Sequence, residues 1–142
     1  MNMLIAAAAL AAFTHHATGT FDVKMTPIPG ETRFPRMTGE KQFHGDLEGT
    51  SESEMMSVTG TVEGSAAYAA IERVTGSLMG EKGSFILVHS ATMRRGGEYD
   101  MTIRVVPDSG TGELTGLKGT MQIIIEGATH RYNFDYSIAG AN

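Results

Sequence analysis

From Thr18 to Ile138 apolar and polar residues alternate one by one in run after run, and no apolar stripe recurs with the 3.6-residue period of a helix. Phe21, Val23 and Met25 alternate with Asp22, Lys24 and Thr26 as far as Pro27 to Gly30, where proline and glycine break a ladder. That run predicts a first strand. After an irregular stretch through Pro35, Phe43 and Leu47 alternate with His44, Asp46 and Glu48. Met56, Val58 and Val62 then carry the next strand, with Ser57, Thr59 and Thr61 on its other face. The chain from Tyr68 to Met79 reads as a longer strand that Gly80-Glu81-Lys82-Gly83 turns back through Phe85 to Met93. A second hairpin follows at Arg94-Arg95-Gly96-Gly97. Beyond it Tyr99, Met101, Ile103 and Val105 alternate with the polar Glu98, Asp100, Thr102 and Arg104. A glycine-rich connection from Pro107 to Gly119 leads to Met121, Ile123 and Ile125, and the segment from His130 to Ile138 ends the pattern.

The total is about eight strands, the number at which a closed antiparallel barrel has an interior just wide enough for packed side chains or one small ligand. Closure also removes the free edges that invite aggregation. The expectation is therefore an all-β fold, a single antiparallel barrel without substantial helix between Thr18 and Ile138. A two-sheet sandwich is the competing architecture, because the same alternation serves both.

Composition narrows the chemistry. A chain of 142 residues suits one domain that folds without staples. There is no cysteine, so a disulfide framework and thiolate sites are excluded, and a metal centre would draw on carboxylates and on His15, His16, His44, His89 and His130. A net charge of -5 lacks the clustered cations that nucleic acid requires, and nucleic acid is not expected as a partner. The apolar run from Leu4 to Phe13 is shorter than the roughly 20 residues that span a bilayer, so no membrane span is expected. It has the length of a secretory core, but Met1-Asn2-Met3 provides no preceding positive charge. The chain thus divides into an apolar, signal-like extension over 1–16 and a barrel domain over 17–142. A cytoplasmic location is the reading, with export through a weak N-terminal signal as the alternative.

Several segments carry a family resemblance. They are Ala17-Thr18-Gly19-Thr20-Phe21-Asp22-Val23-Lys24, Phe43-His44-Gly45-Asp46-Leu47-Glu48-Gly49 and Glu72-Arg73-Val74-Thr75-Gly76. Gly83-Ser84-Phe85 continuing to His89 follows, and then Val105-Val106-Pro107-Asp108-Ser109-Gly110-Thr111-Gly112-Glu113-Leu114 with Gly116-Leu117. In that order they resemble an uncharacterised bacterial family, domain of unknown function 3224, over residues 17–138. The resemblance implies a barrel similar to that of allene oxide cyclase, calycin-like in outline, and it brings no established reaction. None of the cyclase's catalytic residues carries over, and fold does not imply function.

Other motifs dissolve on inspection. Gly110-Thr111-Gly112 with Gly116 is spaced wrongly for a dinucleotide fingerprint and precedes no helix, so its glycines serve a long turn. Asp46, Glu48, Glu52 and Glu54 with His44 form an acidic cluster, but on alternating strands such side chains point outward rather than around one cation. No metal site is expected. No Gly-x-Ser-x-Gly elbow supports a hydrolase, and Arg94-Arg95 is a solvated hairpin tip.

The informative positions are polar residues in the inward phase of apolar faces. His130, Tyr132, Phe134, Tyr136 and Ile138 share one face of the last strand. Glu54 is in phase with Met56 and Val58, and Glu72 with Tyr68, Val74 and Leu78, although Arg73 competes for that inward position. His89 shares a face with Phe85, Leu87 and Met93, but Ile86 and Val88 make its other face nearly as apolar. Buried polar groups must pair or face water. Glu72 with His130, Tyr132 and Tyr136 are accordingly expected to converge on one polar-lined pocket, Glu72 and His130 being the catalytic candidates. Glu54, Tyr68, His89, Tyr132, Phe134 and Tyr136 are the ligand-binding candidates.

Two classes of function fit this picture. One is a module binding a small hydrophobic or aromatic ligand, since ten methionines and no tryptophan suit an adaptable lining. The other is a cofactor-independent isomerase, cyclase or lyase that uses the buried Glu/His pair to move a proton. A structural or assembly protein with a filled core is the third reading, and self-association is left open by the sequence. No cofactor is called for.

Overall fold

The computed structural model describes residues 13–30 and 33–139, and the apolar run before Phe13, read as signal-like, lies outside them. Eight strands follow one another: β1 (His15–Pro27), β2 (Arg36–Gly45), β3 (Leu47–Thr59), β4 (Ala66–Leu78), β5 (Glu81–Arg94), β6 (Glu98–Val105), β7 (Leu117–Glu126) and β8 (Thr129–Ile138). Each pairs antiparallel with its neighbour in sequence, and β8 returns to β1 to close the barrel. This closure decides against the sandwich. A single 3-10 turn over Gly112–Leu114 interrupts the β6–β7 connection, and no α-helix occurs among the described residues. His15 and His16 already belong to β1, opposite Tyr136 and Asp135 on β8.

Two sequence expectations need correction. The alternation from Phe43 to Glu48 is not one strand but the end of β2 and the start of β3, turned at Asp46. Gly45 has φ +110 there, a conformation that a side chain opposes. Asp46 pins the turn to β1, its amide donating to Thr18 O (3.1 Å) and its carboxylate accepting from Thr18 N (2.9 Å). On β3 the two apolar residues read as inward face out: Met56 and Val58 are 50% and 45% exposed, and Val62 lies beyond the strand's end. The inward residues are Leu47, Ser51, Ser53, Met55 and Ser57, in phase with the fully buried Leu47.

The interior has two unlike halves. At the end where β2–β3, β4–β5 and β6–β7 connect, Phe43, Leu47, Leu78, Phe85, Leu117, Tyr132 and Phe134 are almost wholly buried. Leu114, on the 3-10 turn, plugs this end and is fully buried. The connection that carries it is held by Val106 N to Ile86 O (2.8 Å), Thr111 N to Ser84 O (2.8 Å) and Ala139 N to Gly116 O (3.1 Å). Each fully buried Leu or Phe here contributes about 1.5–3 kcal/mol of transfer free energy. At the opposite end the inward residues Met37, Met55, Met93, Met101 and Ile123 remain half-buried. The wall is also uneven. β6 and β7 pair through Ile103↔Met121 and Arg104↔Thr120, whereas β7 and β8 pair along their whole length.

Candidate functional site

Between the packed half and the open half lies a charged layer built from inward positions of four consecutive strands. Lys41 on β2 stands opposite Ser51 on β3, Ser53 on β3 stands opposite Glu72 on β4, and Ala70 on β4 stands opposite His89 on β5. Period-2 alternation turns all of these side chains inward. Glu72 is 0% exposed and is the hub. Its Oε1 accepts from His89 Nε2 (2.7 Å) and from Lys41 Nζ (3.1 Å), and its Oε2 accepts from Ser51 Oγ (2.5 Å). Lys41 Nζ also lies 4.8 Å from the ring centroid of Phe21 and 5.7 Å from that of Phe43, a cation–π environment.

The protonation state follows from this geometry. Burial raises the carboxyl pKa of Glu72, but the His89 hydrogen bond, the charges of Lys41 and His89 and the Ser51 hydrogen bond outweigh it, lowering the value from 4.5 to about 2. Glu72 is therefore an anion that can only accept, and Nε2 of His89 must carry a proton. In the neutral ring the lone pair sits on Nδ1. Nδ1 takes no hydrogen bond among the described residues, and His89 as a whole is 5% exposed.

Towards the open end Tyr68 continues the inner face of β4, its hydroxyl 3.5 Å from that of Tyr99 on β6. Burial, the Tyr99 contact and the charge of Glu72 push the Tyr68 hydroxyl above its usual pKa, so it remains a donor.

The expected convergence of Glu72 with His130, Tyr132 and Tyr136 does not occur, although all three lie in the inner phase of β8. His130 is half-buried beside Phe21, at a centroid distance of 5.2 Å, and takes no part in the Glu72 network. The Tyr132 hydroxyl accepts from Leu47 N (2.9 Å) and donates to His44 O (3.1 Å), a structural lock at the β2–β3 turn. Burial raises its pKa. Tyr136 stacks between His15 (5.1 Å) and Phe134 (5.4 Å), and Phe134 stacks on Phe85 (5.7 Å), all in the packed half. Successive inward residues are about 6.6 Å apart along a strand, so a shared face spreads them over the height of the barrel.

Glu54 is also corrected. It is exposed on the outer wall and paired with Arg36 (2.8 Å), because the odd-numbered residues of β3 face in. There it borders a depression of about 310 Å³ with Arg36, Met56 and Ile71. Arg73 likewise points out, 3.8 Å from Glu52. Sequence reasoning missed Lys41 and Ser51. The available signal was phase: Lys41 is two residues from the buried Phe43, and Ser51 is four from Leu47.

No group of three His, Asp or Glu residues is placed to hold a metal ion among the described residues. No helix there is long and apolar enough to cross a membrane.

Comparison with known proteins places this chain among relatives of unknown function. The family described as a protein of unknown function, DUF3224, matches residues 17–136. A crystal structure of a protein of unknown function from that family, from Shewanella oneidensis MR-1, is 43% identical to this chain with a TM-score of 0.83. The alignment covers 89% of this chain and 98% of the other. No curated protein matches.

Proposed function

The chain belongs to the DUF3224 family, and from that premise we propose that the open half of its barrel binds a small, partly apolar molecule above the Glu72 layer. The observation that carries this reading is the asymmetry of the interior. One half is sealed by Leu114, whereas in the other Met37, Met55, Met93, Met101 and Tyr68 face inward yet stay half-buried. Methionine and tyrosine suit such a lining, the one adaptable in shape and the other apolar with a polar tip. Lys41, Glu72 and His89 give the floor a few placed polar groups of the kind that orient a ligand. A filled structural core would have no use for this contrast.

The reading is tested with methionine labelled at its methyl carbon and 2-tetralone, a small aromatic ketone, as the probe. Inner-face methyls of Met37, Met55 and Met101 are expected to shift on titration, while that of the outer-facing Met56 stays in place. Ala70→Trp, which fills the inner face, should abolish the shifts, and Ile71→Trp on the outer face should not. Shifts confined to Met56 would refute the proposal.

A further inference from the structure

Glu72 and His89 form a buried pair whose outward end is chemically free. Glu72 fixes the ring through Nε2 and leaves Nδ1 without a hydrogen bond among the described residues, His89 being in the inward phase of β5 as Tyr68 is of β4. An anion behind an imidazole stabilises the imidazolium that forms when the other nitrogen takes a proton, and the hydrogen bond sets the tautomer in advance. Tyr68 faces Ala91 and Ala70 faces His89 across β4 and β5, so Tyr68 lies diagonally next to His89 on the route to the open end.

We infer that His89, held by Glu72, acts as a general base and acid on a small carbonyl compound in the open half of the barrel, with the Tyr68 hydroxyl donating to the carbonyl oxygen. This inference rests on the binding reading above. His89 Nδ1 removes a proton from the carbon next to the carbonyl. The C–H electron pair becomes the new C=C bond, and the carbonyl π pair moves onto oxygen, where Tyr68 donates its hydrogen bond. The imidazolium either trades its proton with solvent and delivers a solvent proton to the same carbon, giving exchange, or returns the proton to a conjugated carbon, giving isomerisation. Protons and electrons balance without an oxidant, a metal or a cofactor. His89 is the catalytic residue, and Glu72 is a positioning residue that acts through it.

The spacing of groups explains features that packing alone leaves idle. A buried ion pair is weak evidence for stability, because apolar residues of the same volume often serve as well or better. Ionisable groups pressed together in a cleft are more often functional. Here the groups sit at the boundary between the sealed and the open half, where a ligand's reacting end would rest.

The experiment follows exchange of the C1 protons of 2-tetralone for deuterium by proton NMR in D2O, alongside the methionine methyl shifts. Wild-type protein should accelerate exchange well above solvent, and His89→Ala should lower the protein-dependent rate about a hundredfold. Added imidazole should restore part of the rate to His89→Ala, and Glu72→Gln should reduce it with the methyl shifts retained, a split that mere structural support would not give. His130→Ala should exchange like the wild type. Methyl shifts with equal exchange in wild type and His89→Ala would overturn the inference and leave the binding reading standing. Absence of methyl shifts would remove both. Nitrogen-15 NMR of the wild type gives a check independent of every variant and probe: the neutral ring is expected to carry its proton on Nε2, and a proton on Nδ1 of the neutral ring would overturn the assignment.

Discussion

The ionised state of Glu72 makes acid stability a direct test of the layer. Its pKa lies at about 2 in the folded protein against 4.5 for the free side chain, so folding is favoured by its deprotonation. The difference corresponds to about 3 kcal/mol, fully present above pH 4.5 and lost as pH falls towards 2. With the carboxylate completely buried, solvent screening does not reduce this figure. About 2 kcal/mol of it should be gone at pH 3. Glu72→Gln keeps the shape and removes the titration. Urea unfolding of both proteins, followed by far-ultraviolet circular dichroism at pH 7, 4.5 and 3, reads the effect. Every other carboxylate is common to the two, so the pH dependence of their stability difference reports Glu72 together with its partner His89. That difference should narrow by about 2 kcal/mol between pH 7 and pH 3. A gap that stays constant within about 0.5 kcal/mol would refute the assignment of a buried, ionised Glu72.

Three further outcomes follow from the packing. Tyr132→Phe strands the Leu47 amide inside the closed end and should cost about 1–3 kcal/mol in urea unfolding, with the barrel's circular dichroism spectrum unchanged. Gly19→Ala places a Cβ within 2.0 Å of His44 O and 2.4 Å of the Tyr132 hydroxyl, where backbone has to move; a loss of at least about 2 kcal/mol is expected, and an unchanged melting temperature would contradict the lock. Glu54→Ala breaks an exposed pair with Arg36 and should change stability by less than about 1 kcal/mol.

The barrel was largely legible in the chain because its turns and most of its faces obey one rule. β6 is plain, since Ile103 and Val105 are buried while Glu98, Asp100, Thr102 and Arg104 are exposed. β3 misleads because the open half does not demand apolar lining and the carboxylate of Glu72 demands a donor. Ser51 therefore faces in while Met56 and Val58 face out. The first part of β2 was hidden for the same reason, with Gly39 and Lys41 occupying its inward positions. Phase made Glu72 an inward candidate with Arg73 as its competitor, and it did not identify the histidine beside it. His89 and His130 both lie in inward phase, and which stands level with Glu72 depends on register between strands. Alternation within a strand gives direction and says nothing of height; the pairing Ala70↔His89 supplies it.

The short ladder between β6 and β7 gives the barrel a preferred place to come apart. Two residue pairs join these strands, against seven between β1 and β8, so parting the wall at this seam breaks the fewest backbone hydrogen bonds. Native-state openings follow such low-cost lines, and the amides of 98–102 and 122–126 that face the seam should exchange with solvent before those of the other ladders. The same stretches bring Met101 and Ile123 to the inner wall and the exposed Tyr99 and Ile125 to the rim. The molecule thus behaves as a curled sheet whose fastening is weakest beside its open half. Sideways parting there widens the lumen while the sealed end, with Leu114 and the Tyr132 lock, stays folded.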